Sequence, residues 1–315
     1  MSKMPQRTFL DEVHPDGRMN LAELFASYSP LFDSEHWEGD VAFEQRVLDE
    51  GGQVMGHLPV FSLRTKTRGS ALYLIAGIHG EEPAGPNALA RNVDFVDELR
   101  REGLPVVLLP MCNPAGYFRD WRYQDTRRGS GSSVGDSDHL VLQKKGRAPK
   151  YAAPISKEAE ALTSHVLGLQ HEWPADLVID LHEDEDDGLN PRCVHPYIYS
   201  QGRRKTKDPV AKRVVEILKE SGMSIQMSGR TRFKEKIKGG IVVGDGDGSI
   251  DQLLSAGRFH KDGKIHKKRA ARSVVVVETP TLQVNGEGTR PLPLELRVRA
   301  HERAIRAIPE FLEML

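Results

Sequence analysis

Four short segments of this chain consist almost wholly of apolar residues and are rich in β-branched side chains. They cover residues 71–78, 105–112, 177–182 and 273–278. Longer segments with apolar residues at helical spacing lie between them, at residues 84–101, 156–171 and 208–221. Apolar runs of this kind are typical of strands buried on both faces, and their alternation with helices is typical of α/β folds. The sequence therefore predicts a mixed, mostly parallel central sheet flanked by helices.

The chain of 315 residues is long enough for one large α/β domain. We expect that domain to span residues 51–315, with residues 1–50 as an N-terminal extension packed on it. Within the extension, only the stretch from Leu21 to Phe32 has a clear helical pattern. A further amphipathic helix is predicted to close the chain.

Composition excludes several classes of function. Lys and Arg number 44 and Asp and Glu number 45, so the net charge of −1 creates no general attraction for nucleic acid or an anionic membrane. Two cysteines, Cys112 and Cys193, are too few for a disulfide framework. The N-terminus lacks the apolar stretch of a signal peptide, and no later run is long enough to span a membrane. We therefore expect a cytoplasmic protein that binds neither nucleic acid nor a membrane.

Candidate metal ligands follow two of the predicted strands. His79 and Glu82 come directly after the strand at 71–78, and His182 ends the strand at 177–182. The carboxyl ends of neighbouring parallel strands meet at one edge of a sheet, where ligands commonly bind. Two imidazoles and one carboxylate suit zinc and leave a fourth position for water. The sequence therefore predicts one zinc ion per chain.

Two further carboxylates lie at the same predicted strand ends. Asp180 is two residues before His182 on the same strand face, so we expect it to orient a ligand imidazole. Glu278 ends a run of four valines, where a carboxylate is costly to bury unless it is paired or used. Next to a metal-bound water, Glu278 is suited to accept a proton and pass it to a leaving nitrogen. The alternative is a glutamate that simply emerges into solvent.

Together, these residues resemble the zinc metallocarboxypeptidase superfamily, which includes the pancreatic-type carboxypeptidases and the succinylglutamate desuccinylase and aspartoacylase branch. An HxxE pair, a histidine about a hundred residues later and a glutamate on a late strand occur here in the order of that family. The resemblance spans roughly residues 55–312. It implies a zinc hydrolase that cleaves an amide bond by attack of a zinc-activated water, with Glu278 as the general base.

The resemblance extends to segments between the ligands. The segment from Asn113 to Tyr117 is similar to the family's Asn-Pro-Asp-Gly turn, and Trp121-Arg122 is similar to its Trp-Arg pair. By that match, Arg122 stabilises the oxyanion and Asn113 assists it in the substrate site. Gly248-Ser249-Ile250-Asp251 resembles the segment that lines the substrate side-chain pocket, which implies that Ile250 and Asp251 contact substrate.

The substrate is less well defined by the resemblance. The Asn-Arg pair with which the family binds a free carboxylate is replaced by Asp138-His139, and a histidine is not equivalent to the arginine fork. Arg127 or Arg128 is an alternative anion-binding residue. We expect a small peptide or an N-acyl amino acid as substrate, so the alternative to a carboxypeptidase is a deacylase. A non-catalytic binding protein on the same scaffold is a third possibility, although no ligand or base is missing.

Three charged or glycine-rich segments allow other functions. The acidic run 183–187 either favours a basic substrate or is a solvated loop. The glycine-rich run 244–248 has neither the P-loop pattern nor the final glutamate of an EF-hand, so we interpret it as a pocket loop. The basic run 261–272 lacks interleaved aromatic residues, which favours a solvated hairpin loop over a nucleic-acid contact.

Overall fold

Ten strands form the central sheet of the computed structural model, which describes residues 9–49, 53–126, 131–143, 148–184, 195–202, 204–231, 234–243, 248–285 and 288–315. These strands are β1 (Trp37–Leu48), β2 (Val54–Thr65), β3 (Ala71–Ala76), β4 (Val106–Leu109), β5 (Ala175–Asp184), β6 (Tyr197–Gln201), β7 (Ser228–Arg230), β8 (Lys236–Lys238), β9 (Ile241–Val243) and β12 (Ser273–Pro280). Two separate hairpins pair β10 (Arg258–Lys261) with β11 (Lys264–Lys267), and β13 (Leu282–Asn285) with β14 (Gly288–Pro291). The hairpin predicted within the basic run 261–272 is thus present, although its first strand begins at Arg258.

The strand order in the large sheet is β1-β2-β4-β3-β5-β12-β6-β9-β8-β7. At its centre, β4, β3, β5 and β12 run parallel, whereas most outer pairings are antiparallel. Every residue of β3, β4 and β5 is buried, as expected for strands covered on both faces. The predicted mixed, mostly parallel central sheet is confirmed, and the four apolar segments of the sequence are its parallel strands.

Helices cover both faces of the sheet. They are α1 (Leu21–Ala26), α2 (Ser29–Phe32), α3 (Ala84–Arg91), α4 (Val93–Arg101), α5 (Pro114–Arg119), α6 (Lys157–Leu169), α7 (Pro209–Glu220), α8 (Ile250–Ser255), α9 (Leu294–Arg306) and α10 (Ile308–Glu313). The helices α3, α4, α7 and α9 share one apolar core with the sheet, and α6 and α8 share the other. In the described part of the chain, no helix is both long and apolar enough to cross a bilayer.

Two predicted helices are each divided in the structure. The segment 84–101 forms α3 and α4, which are separated at Asn92, whose φ of −117° and ψ of 20° are not helical. The Asn92 side chain donates a hydrogen bond to the Ala88 carbonyl, so it satisfies part of the end of α3. The C-terminal helix likewise divides into α9 and α10. Amphipathic spacing continues across both breaks, which is why periodicity alone predicted single helices.

The N-terminal extension contributes a strand to the sheet. The strand β1 pairs with β2 along its length, from Trp37 opposite Thr65 to Leu48 opposite Val54. The predicted boundary between residues 50 and 51 therefore falls within this hairpin. Because β1 is the edge strand and most of its residues are exposed or half-buried, it lacks the continuous apolar run that marks the central strands.

The carboxyl ends of the central strands bring the candidate site together. In the parallel pairing of β5 with β12, His182 lies opposite Glu278 and Asp180 lies opposite Val276. The strand β3 flanks β5 on its other side, with Ala76 opposite Leu181. His79 follows the end of β3 by three residues. These three strand ends therefore place both histidines and Glu278 at the same edge of the sheet.

Candidate active site

Three predicted metal ligands converge on one point. His79 Nδ1 lies 2.7 Å from Glu82 Oε1, and His182 Nδ1 lies 2.8 Å from Glu82 Oε2. One ligand atom from each residue lies within 4.8 Å of the other two. Glu82 is 2 % exposed and His182 is 6 % exposed, so the cluster is largely closed to bulk water. Two imidazole nitrogens and a carboxylate at this separation are a donor set that fits a divalent metal ion.

The loop that carries His79 and Glu82 is held closely against the chain that follows β4. Gly80 N–H donates to the Arg122 carbonyl at 3.3 Å. A Cβ at Gly80 would lie 2.0 Å from the carbonyl carbon of Gly116 and 2.3 Å from the Tyr117 nitrogen. Only glycine allows the two backbone segments to approach this closely. The loop then enters α3, where the Ala84 N–H donates to Glu183 Oε2 at 2.7 Å.

The charges around Glu82 stabilise its ionised form. Burial by itself would raise the pKa of Glu82, but the imidazoles of His79 and His182 hold that pKa well below its ordinary value. Burial and the nearby Arg122 lower the pKa of His79 to about 4. Burial opposes protonation of His182 as well, but Asp180 and Glu82 raise the pKa of that imidazole well above its ordinary value.

Asp180 lies where a carboxylate orients an imidazole. Its Oδ1 is 3.3 Å from His182 Nε2, on the opposite side of the ring from Glu82. A ligand histidine commonly contacts a carboxylate with its second nitrogen, which fixes the ring orientation. The arrangement leaves His182 Nδ1 as the nitrogen that faces Glu82 and His79.

Arg122 is a fixed cation beside the cluster. Its Nη1 lies 2.9 Å from both Glu81 Oε1 and Glu82 Oε1. Burial would lower the pKa of Arg122, but these two glutamates raise it, so the guanidinium stays charged. A half-buried cation held by two carboxylates is oriented in advance for an anionic oxygen.

Glu278 on β12 lies opposite His182 on the neighbouring strand β5 and is half-buried. Burial, followed by the nearby carboxylates of Glu82 and Asp184, raises the pKa of Glu278 to about 8. The alternative of a fully solvated glutamate at the end of β12 does not match this environment.

A single cavity of about 460 Å³ connects these groups. Its walls include seven of the predicted site residues, namely His79, Glu82, Arg122, His182, Ile250, Asp251 and Glu278. Ile250 and Asp251 begin α8, which Ser249 caps by accepting a hydrogen bond from the Gln252 N–H. The candidate metal ligands, the candidate base, the cation and the candidate substrate-binding residues therefore line the same cavity.

The sequence profile of the succinylglutamate desuccinylase/aspartoacylase catalytic domain matches residues 68–231, which is more than half of the chain. The chain belongs to this family. None of the curated proteins matches the sequence.

Among solved structures, a candidate metallopeptidase from Shewanella amazonensis has a TM-score of 0.63 and 20 % identity over 93 % of this chain and 91 % of that one. Carboxypeptidase A from Helicoverpa armigera has a TM-score of 0.55 and 11 % identity over 98 % and 76 %. These two similarities show that the chain has the carboxypeptidase-like fold.

Three residues predicted to bind substrate in this desuccinylase/aspartoacylase family member lie elsewhere than on the described cavity wall. Asn113, Asp138 and His139 are not among the described residues that line the cavity. Asn113 is fully buried, accepts a hydrogen bond from the Gly116 N–H at 3.0 Å as the N-cap of α5, and donates to the Arg122 carbonyl at 3.2 Å. Asp138 accepts a hydrogen bond from Lys150 Nζ at 2.9 Å. Asn113 therefore supports the backbone of Arg122 and does not face the cavity.

Several predictions fall outside the described residues. Arg127 and Arg128, the alternative anion-binding residues, are in this group, as are Cys193, most of the acidic run 183–187 and most of the glycine-rich run 244–248. Of the acidic run, Glu183 and Asp184 are described, and both are buried and line the cavity. These two residues are therefore part of the site wall and do not form a solvated loop.

Two tyrosines of the cavity were not predicted from the sequence. Tyr197 and Tyr199 lie on β6, and Tyr197 is opposite Glu278 on β12. Tyr197 donates a hydrogen bond to Asp184 Oδ2 at 2.5 Å, and Tyr199 donates to Glu235 Oε2 at 2.8 Å. The alternation of Tyr197, Tyr199 and Gln201 with other residues was the available signal, since alternate residues of a strand share one face.

Proposed function

We propose that this protein is a zinc-dependent hydrolase that cleaves an amide bond in a small peptide or an N-acyl amino acid. The observation that carries the proposal is the convergence of His79, Glu82 and His182, with Glu278 and Arg122 on the walls of the same cavity. Each of the groups that hydrolysis of an amide requires has a counterpart there. Membership of the desuccinylase/aspartoacylase family supports the same reaction class.

The roles follow from the positions of the side chains. His79 and His182 would hold zinc through their Nδ1 atoms, and Glu82 through its carboxylate. When bound, zinc supplies a Lewis acid and lowers the pKa of a water molecule toward neutrality. Glu278, beside His182 on the adjacent strand, takes the proton of the attacking water and delivers it to the leaving nitrogen. Arg122 stabilises the negative oxygen that forms from the carbonyl.

Two substrate classes are consistent with this chemistry. A carboxypeptidase-like reaction on a peptide is the first, and it is supported by the fold. Deacylation of an N-acyl amino acid is the second, and it is supported by the matched family, with Asp138 and His139 not among the described residues that line the cavity. Both reactions use the same metal ligands, base and cation, so substrate identity is independent of the proposed mechanism.

The metal is tested by elemental analysis of the purified protein. Wild type is expected to contain one zinc per chain, and His79→Ala is expected to lose it. His36→Ala is the matched control, because the His36 side chain is 54 % exposed and forms an ion pair with Glu35, its neighbour in sequence. Zinc that is retained in His79→Ala, or absent from wild type supplied with zinc, would contradict the proposed site.

Activity is tested by product analysis with two substrate sets. One contains peptides with free and with amidated C-termini, and the other contains N-acyl amino acids that differ in acyl group. Release of a C-terminal residue supports the carboxypeptidase-like reaction, and release of the acyl group supports the deacylase. Zinc binding without turnover of either set would instead identify a binding protein on the same scaffold.

A further inference from the structure

An arginine of the N-terminal extension contacts the metal-binding loop from behind. We propose that Arg18 is a positioning residue, which fixes the loop from His79 to Glu82 relative to the segment that carries Arg122. The inference rests on the proposed metal site. Arg18 lies outside residues 68–231, the part of the chain that matches the family.

Arg18 bridges the two segments with one guanidinium group. Its Nη1 donates to the Tyr117 carbonyl at 3.0 Å and to the Gly80 carbonyl at 3.4 Å. Its Nη2 donates to Asp120 Oδ1 at 2.5 Å. Gly80 lies between the two ligands of the loop, whereas Tyr117 and Asp120 lie five and two residues before Arg122 in the chain. One guanidinium group therefore binds the backbone on both sides of the close contact at Gly80.

The guanidinium is itself firmly held. Arg18 is only 6 % exposed, and its Nε donates to Asp16 Oδ2 at 2.7 Å. Its guanidinium carbon lies 5.1 Å from the centre of the Tyr117 ring. Burial would lower the pKa of Arg18, but Asp16 and Asp120 raise it. A planar cation with several fixed donors loses little further freedom when it orders the groups around it.

The next residue of the extension reinforces the contact. Met19 N–H donates to Asn87 Oδ1 at 2.8 Å, and the Met19 carbonyl accepts a hydrogen bond from the Tyr117 hydroxyl at 2.8 Å. Asn87 in turn donates to the Pro83 carbonyl at 2.7 Å, directly after Glu82. Arg18 thus contacts the ligand loop directly at Gly80, and Met19 is linked to the other side of Glu82 through Asn87.

Arg18 lies outside the described wall of the active-site cavity. It lines a separate cavity of about 270 Å³, with Asp16, Glu81 and Asp120 among the other residues of the wall. Arg18 is not among the described residues of the active-site cavity. Its effect on the metal must therefore pass through the backbone of Gly80, as it does for groups that orient metal ligands from outside.

The test measures zinc affinity by competition with a chromophoric chelator, using the full-length protein. Arg18→Ala is expected to weaken zinc binding by about ten- to a hundredfold, the range found when groups that orient ligands are removed. Millimolar guanidinium, which fits the vacated space, is expected to restore part of that affinity. Arg213→Ala is the matched control, because Arg213 also forms several ion pairs but joins α7 to α10, away from the site.

A purely structural arginine would give a different result. Wild-type zinc affinity in folded Arg18→Ala, or an equal loss in Arg213→Ala, would overturn the inference. If Arg18→Ala does not fold, Arg18→Lys decides the matter, since lysine keeps the charge opposite Asp16 and Asp120 but cannot bridge Gly80 and Tyr117 in the same way. Several-fold weaker zinc binding in folded Arg18→Lys supports the inference, and unchanged binding overturns it.

The two proposals can fail separately. If wild type binds zinc but hydrolyses no amide, the proposed reaction fails while the affinity measurements on Arg18 remain valid. If wild type is an active zinc hydrolase and the Arg18 variants bind zinc normally, only the positioning role fails.

Discussion

At Gly80, the metal-binding loop approaches the backbone of Gly116 and Tyr117 closely, which leads to a specific prediction for Gly80→Ala. The new methyl group would lie 2.0 Å from the carbonyl carbon of Gly116 and 2.3 Å from the Tyr117 nitrogen. Ordinary contacts begin near 3.4 Å, so the two segments must separate by about 1.4 Å. Both obstacles are backbone atoms, and no side-chain rotation can relieve the clash.

The expected cost has a structural and a functional part. Forcing a methyl group into a closely packed position typically lowers the free energy of unfolding by about 1–3 kcal/mol. The loop that must move carries His79 and Glu82, and a misplacement of about 1 Å can reduce catalytic efficiency by roughly a hundredfold. We therefore expect Gly80→Ala to be less stable, to bind zinc more weakly and to turn over substrate more slowly.

Gly168→Ala is the matched control. Gly168 lies in α6, and a Cβ added there would have no heavy atom within 4 Å. Replacing a glycine in a helix by alanine is expected to stabilise the protein by about 0.5–1 kcal/mol. Urea unfolding, chelator competition for zinc and steady-state kinetics of both variants provide the comparison. Wild-type stability and zinc affinity in Gly80→Ala would refute the packing argument.

Further predictions concern a base, a buried ion pair and a half-buried carboxylate. Glu278→Gln is expected to keep the metal and to lower kcat by about 10²- to 10⁴-fold; an unchanged kcat excludes Glu278 as the base. Arg297→Met removes the cation that pairs with Glu183, both partners being buried, and should lower the free energy of unfolding by about 3–5 kcal/mol. Adding Glu183→Gln should recover part of that loss in urea denaturation. Partial burial would raise the pKa of Asp97, but the Trp37 indole N–H and neighbouring arginines hold it below the ordinary value of 3.8. The stabilisation from Asp97 should therefore be fully present above pH 4 and be lost as the pH falls through the lower, folded-state pKa. The difference in unfolding free energy between wild type and Asp97→Asn should shrink on acidification, and a difference that grows would contradict this sign.

The centre of the fold and of the site could be predicted because sequence and burial agree there. The strands β3, β5 and β12 are buried on both faces, so their apolar runs are visible in the sequence, and His182 and Glu278 lie at or close to the polar end of such a run. Because His79 and Glu82 are three residues apart, as in the HxxE pair, the sequence indicates that Glu82 faces the histidines and that Glu81 does not. Glu81 contacts Arg122, as Glu82 also does.

The remaining features depend on contacts that local sequence does not specify. Asn113 occurs in a motif associated with substrate, but an asparagine before a proline is equally suited to cap a helix, and here it caps α5. Arg18 is one of many arginines in the sequence, and its partners Gly80, Tyr117 and Asp120 lie 62 to 102 residues away. The edge strand β1 has too mixed a pattern to be distinguished from loop. Such features become visible only when the chain is folded.

The parallel pairing of β3 with β5 has a consequence for how the protein is made. His79 and Glu82 leave the ribosome about a hundred residues before His182, and the chain between them must close before the strands can align. A nascent chain that ends before β5 contains only two of the three proposed zinc ligands, His79 and Glu82. The proposed ligand set is complete only once β5 has paired with β3, so tight zinc binding by this set would report that the middle of the sheet has assembled.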